Sequence, residues 1–140
     1  MNQTKNLTKI AKNLISKIPS PTPLKEQIIL GLIKIYHLNY CLIISKGEYY
    51  NQFTLWEGNE KIVYEIVGPE NLENMQYTVW QKNRFLELGF TIDEMFGNFQ
   101  KIFNITKNED LLEIVQLFNS VNFEIMALLK STKFQFEYIE

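Results

Sequence analysis

The chain's one cysteine and one histidine, Cys41 and His37, are the pair whose types and spacing could do thiol chemistry. Spaced four apart, they would share one face of a continuous helix. An adjacent imidazole can stabilise a thiolate, so the pair is a conceivable thiol nucleophile. No glycine-rich turn and no orienting acid accompanies it. The plain alternative is a core cysteine and a histidine at a helix end. A single cysteine leaves no internal disulfide, and a single histidine argues against a Cys/His zinc site, so neither metal nor cofactor is expected.

The carboxylates add little chemistry. Asp93 and Glu94, and then Glu109, Asp110 and Glu113, cluster where helices are expected to start, and acids there complement the helix dipole. Glu65 stands mid-strand between Tyr64 and Ile66, on an alternation face with Lys61, Val63 and Val67, and its partner is open. No phosphate-binding glycine loop and no HExxH pattern occurs. No catalytic residue stands out, and the chain is expected not to be an enzyme.

The elements that must carry these residues belong to one domain. The chain has 140 residues, 46% of them hydrophobic and 14% aromatic, enough for a single core and too little for two. The organisation expected is a basic amphipathic helix within 1–18, a proline-rich linker at 19–23 and an α+β body over 24–140. Near-neutrality (net charge −2) hides a polarised chain: residues 1–46 carry +6 and the remainder −8. An acidic body disfavours nucleic-acid binding. The longest apolar run, Ile28 to Ile44, is broken by Lys34, His37 and Asn39 and suits no stable membrane insertion. With a free Cys41 and no signal-like start, the expected compartment is the cytoplasm.

Leu7, Ile10, Ala11, Leu14, Ile15 and Ile18 recur at helical spacing with Lys5, Lys9, Lys12 and Lys17 off the stripe. That helix could lie on an acidic membrane, dock on a protein or pack on the sheet; the acidic body offers a counter-field for packing. Thr22-Pro23 starts a second, mostly apolar helix to about 37. Tyr40 to Ile44 either prolongs that helix or begins a strand; Ile and Tyr suit the pleated surface, and Ser45-Lys46-Gly47 beyond them looks like a turn, which favours the strand. Tyr49 to Trp56 and Lys61 to Val67 form a hairpin across Glu57-Gly58-Asn59-Glu60. Capping boxes at Thr78…Gln81, Thr91…Glu94 and Thr106…Glu109 predict three helices. The first runs to Leu88, the second is one turn ended by Gly97, and the third is long, to about Lys130. Asn98 to Asn104 and the strictly alternating 134–138 complete the strands.

The fold class expected is α+β, a curved antiparallel sheet packed with helices. Tyr50, Phe53, Leu55 and Trp56 place aromatic and aliphatic groups on both hairpin faces, which suits a protein-binding surface. Phe134, Phe136 and Tyr138 mark an edge strand able to accept or donate a strand, and the two features together predict a homodimer.

Residues 50–129 resemble the bacterial YbjN and TY-Chap group, whose fold is like that of type III secretion chaperones. The likeness rests on Asn51-Gln52-Phe53, Tyr64-Glu65-Ile66-Val67, Phe85-Leu86-Glu87-Leu88-Gly89-Phe90 and Asn98-Phe99, followed by the long helix. Phe90 stands where the group usually has Trp, and the proline that commonly follows is missing. The resemblance implies a chaperone-like, protein-binding role, often as a dimer, with no catalytic residues. The alternatives are an immunity or antitoxin-type protein that blocks a partner with an acidic face, and a thiol enzyme using Cys41 and His37.

Overall fold

A computed structural model of the chain describes residues 2–56, 58 and 60–140, with side chains from Asn6 onward. The Lys5 side chain and the expected hairpin-turn residues Glu57 and Asn59 lie outside the described residues. Alternation builds the sheet. Along β1 (Cys41–Lys46), β2 (Tyr49–Trp56) and β3 (Lys61–Ile66), every second side chain is buried beneath helices and its neighbours face the other way. The two-residue β4 (Thr91–Ile92), β5 (Phe99–Asn104) and β6 (Gln135–Ile139) complete an open six-stranded sheet. Its spatial order is β4-β5-β3-β2-β1-β6, and every pair is antiparallel. The α+β class expected from the sequence is therefore the observed one.

Helices cover one face. α1 (Asn2–Ile15) lies chiefly on α2 (Pro23–Leu38), in place of the direct seat on the sheet that its stripe suggested. Ala11, Leu14 and Ile18 join the same core as the strands. Lys17 pairs with Glu109 at 3.2 Å, one point where the basic start meets the acidic body. α2 begins where Thr22 accepts the Lys25 N–H, with Pro23 in the first turn, and ends at Asn39, whose left-handed φ of 58° turns the chain into β1. Its Ile28, Ile29, Leu32, Ile33 and Ile35 are fully buried. α3 (Val79–Glu87) carries the expected reciprocal capping box, Thr78 with Gln81, and closes at Gly89 (φ 96°).

Two expected helices differ. Residues 91–97 form β4 and a turn, because the Asp93 carboxylate accepts the Met95 and Phe96 N–H groups and holds them in a tight turn. The long helix expected to Lys130 is α4 (Leu111–Asn119), preceded by a 3₁₀ turn at 108–110 and followed by a π-helical segment, Ser120–Ile125. Asp110, rather than Glu109, accepts the Thr106 and Lys107 N–H groups at its start. The wider turn has a visible cause. Asn122 Nδ2 donates to the Phe118 carbonyl at 2.8 Å, the acceptor its own N–H would use in an α-helix. The Met126 N–H then reaches back five residues to Val121. Ala127 (φ 55°) ends the helix.

Asn122 also anchors the centre of the molecule. Its carboxamide faces that of Asn51 on β2, with reciprocal bonds of 3.1 and 3.2 Å. Tyr49 donates to Asn122 Oδ1 at 2.7 Å and Tyr64 to Asn51 Oδ1 at 2.5 Å. Both asparagines are wholly buried. Burial pushes both phenols well above the usual tyrosine range, so they remain donors. Removing one member strands the others in a dry interior. Asn122→Ala is therefore expected to lower stability by about 2–4 kcal/mol, read as a shift in the urea midpoint at unchanged slope.

Candidate functional site

The turn between β1 and β2 decides what the far edge of the sheet can do. Lys46 pairs with Tyr49 across a two-residue turn, Gly47-Glu48, in which Gly47 takes a φ of 63°. In such a hairpin the flanking pair is hydrogen-bonded, so Lys46, Ile44 and Leu42 turn their main-chain groups towards β2. Alternation then assigns those of Cys41, Ile43 and Ser45 to β6, opposite Ile139, Glu137 and Gln135. The main-chain N–H and C=O groups of Phe136 and Tyr138 consequently face outward along the open edge. At the opposite edge the two-residue β4 covers only Phe99 and Gln100 of β5, and no strand pairs with the rest of β5 on that side among the described residues.

The side chains of the same strand complete the arrangement. Phe136 and Tyr138 point towards the helices and are half-buried, whereas Gln135, Glu137 and Ile139 are exposed. Gly31 on α2 lets the sheet approach closely; a Cβ there would sit 2.6 Å from Leu42 Cδ2 and 3.0 Å from the Tyr138 hydroxyl. The Lys34 ammonium lies 4.7 Å from the Tyr138 ring centre. Phe134, just before the strand, packs against Phe118 and Phe123 with ring centres 5.7 and 6.4 Å away. Beside Phe134 and Phe136 runs a groove of about 470 Å³, reaching the start of α2 and the 130–133 loop.

The hairpin offers less than its composition suggested. Phe53 is fully buried and Leu55 nearly so, because β2 turns Tyr49, Asn51, Phe53 and Leu55 inward under the helices. These two are core residues and not contact residues. Trp56 is exposed at the strand end, with the Lys61 ammonium 5.9 Å from its ring centre. Tyr50 is half-buried on the outer face, where its hydroxyl accepts from Asn98.

The thiol pair is also separated. α2 stops at Leu38, so Cys41 belongs to a strand and shares no helix face with His37. His37 Nε2 bonds Asn108 Oδ1 at 2.9 Å, and Cys41 Sγ lies 3.5 Å from Thr54 Oγ1. Burial pushes the Cys41 thiol up, and the Glu65 and Glu137 charges push the same way, against the Thr54 bond. A raised pKa opposes thiolate formation.

The residues that carry the resemblance hold structure. Asn98 is buried; its Oδ1 accepts the Gly68 N–H and an Asn71 amide N–H at 2.8 and 3.0 Å. Phe90 and Phe99 sit in the core, Leu88 and Gly89 close α3, and Leu86 is exposed. Gln52 and Glu65 are cross-strand neighbours on the outer face, with Gln100 beyond. Among the described residues no group of His, Cys, Asp or Glu is placed to hold a metal ion, and no helix is long and apolar enough to cross a membrane.

Two features had no forecast. Glu48 gathers the N–H groups of Glu73, Asn74 and Met75 at 2.8–3.2 Å. Burial opposes its ionisation, but the bonds outweigh that and hold its carboxyl below the usual range. The 93–97 turn presents Met95 and Phe96, both well exposed, from a rigid base.

Glu65 behaves in the opposite sense. Burial on the outer face, and then the Asp93 charge, raise its carboxyl above the usual range. A raised acid favours the folded state below its unfolded pKa, and that contribution is lost as pH rises through the folded value. Glu65→Gln is accordingly expected to raise the thermal midpoint at pH 7, with the gain vanishing below about pH 4, by calorimetry across that range.

Comparison with protein-family models, with curated proteins and with solved structures finds no match to this chain.

Proposed function

We infer that the chain is a non-catalytic binding module that takes up an extended stretch of another polypeptide as a seventh strand along β6. The observation that carries this reading is the open edge at Phe136 and Tyr138, whose outward main-chain groups lie beside half-buried aromatic rings. Strand addition draws affinity from the main chain and selectivity from the pockets beneath alternate side chains. The raised Cys41 thiol and its separation from His37 support a role without covalent chemistry. The resemblance to secretion-chaperone-like proteins points the same way, towards a cytoplasmic client binder.

Self-pairing competes for the same edge, and Glu137 opposes it. Two copies joined so that Phe136 meets the partner's Tyr138 bring Glu137 directly opposite its own copy, in the closer, non-bonded kind of pair. Like charges at that spacing destabilise the pairing. A homodimer through β6 is thus held back at neutral pH, which leaves the edge to a different chain. Light scattering is expected to give a monomer for the parent at tens of micromolar and a dimer for Glu137→Gln; equal behaviour of the two would remove this role for Glu137.

A second reading, an immunity-type protein that plugs a partner, is favoured by the exposed Met95 and Phe96 beside Asp93 and Glu94. Footprinting separates the two. Peptides selected from an unbiased displayed library are expected to slow amide exchange at Phe136 and Tyr138. Partners that instead protect residues 93–97 would select the plug, and peptides leaving both β6 amides in fast exchange would overturn strand addition.

A further inference from the structure

The groove beside β6 has a charge pattern that its neighbour lacks. Among the described residues, Lys25, Lys130 and Lys133 line it and no carboxylate does, while Phe123, Phe134 and Phe136 form its apolar wall. The adjoining groove, about 530 Å³, shares Lys25 and is also lined by Lys17, Glu113 and Glu124, so Lys130 and Lys133 are the cations particular to the first groove. Lys25 does not swing freely. Its ammonium donates to the Pro19 and Ser20 carbonyls at 3.2 and 3.1 Å, which fixes a positive charge at one end of the site. Lys130 and Lys133 are exposed on the loop at the other end.

A binding site with fixed and mobile cations, an aromatic wall and no acid is complementary to a carboxylate carried on an apolar body. The groove is also continuous with the open edge, since Phe134 leads directly into β6 and Phe136 belongs to it. A strand laid along β6 would run beside Phe136, which the edge and the groove share. We propose that this groove selects acidic clients: the segment added at β6 is one in which aspartate or glutamate side chains alternate with, or flank, aliphatic or aromatic ones. The proposal rests on the strand-addition reading and adds to it the chemistry of the partner.

Three heptapeptides of alternating valine with glutamate, glutamine or lysine test it, titrated into the full chain and followed by amide resonances at low and high salt. A fourth probe is decanoate, a carboxylate on an apolar chain with no peptide groups. The glutamate peptide is expected to bind about tenfold more tightly than the glutamine peptide at low salt, with the gap closing at high salt. The lysine peptide is expected to bind weakest. Lys130→Gln with Lys133→Gln, both exposed positions, should narrow the gap by weakening the glutamate peptide towards the glutamine peptide's affinity; an unchanged gap overturns acid selection by this groove. Equal affinity of the glutamate and glutamine peptides, with Phe136 and Tyr138 amides protected, overturns acid selection while strand addition stands. Salt-sensitive shifts at 130–134 without protection of those amides overturn strand addition and keep the acidic site. Decanoate matching the glutamate peptide in affinity overturns a polypeptide client.

Discussion

Two carboxamides facing each other in a dry interior constrain nearly everything else in this molecule. Asn51 and Asn122 satisfy one another, and Tyr49, Tyr64 and the Phe118 carbonyl take up what remains. A buried polar group without a partner costs free energy comparable to the hydrogen bond it lacks, so such a cluster tolerates few arrangements. Here it joins β2 and β3 to the helical layer at one point. The same demand widens the helix at Ser120–Ile125 and ends it soon after. Because the helix stops there, residues 128–134 are free to cross back and deliver β6 to the edge of the sheet. The position of the open β6 edge is thus a consequence of polar satisfaction in the core.

Sequence pattern revealed the elements whose cause is local. Thr78 and Gln81 read as a capping box because nothing nearby competes for their partners, and strict alternation in 134–138 could suit only a strand with two unlike faces. Thr91 and Glu94 carry the same signature, yet Asp93 lies between them and its carboxylate bonds the next backbone N–H groups first. The helix after Thr106 looked long because its apolar stripe continues through Val121 and Ile125. Asn122, next to that stripe, was the visible signal that the regular register would fail, since its amide can reach back to the carbonyl four residues earlier.

The candidate site was only half legible for a related reason. Phe134, Phe136 and Tyr138 were picked out by alternation, whereas Phe53 and Leu55 were misplaced because both faces of the hairpin carry aromatic residues. Asn51 held the key: a polar residue in phase with Tyr49, Phe53 and Leu55 looks like a solvent-face marker, and it is in fact the centre of the core network. The basic groove could not be seen at all. Lys130 and Lys133 belong to the acidic portion of the chain, and only folding brings them to Lys25, across more than a hundred residues of sequence. Charge summed along a chain says little about charge gathered at a place.

The pairing of β6 with β1 also has a kinetic meaning. β1 finds β2 across a two-residue turn, but it meets β6 only after the whole intervening chain has been arranged. Closing a loop of that length costs more entropy than closing the hairpin, which favours the β1–β2 pairing over the β1–β6 pairing early in folding. Without β6, β1 would be a bare, aliphatic sheet margin built of Leu42, Ile43 and Ile44, the kind of surface on which chains aggregate. Glu137, exposed on the strand that finally covers that margin, places a charge along the edge that the finished sheet leaves open. The edge proposed to accept a foreign strand is itself made by accepting one of the chain's own.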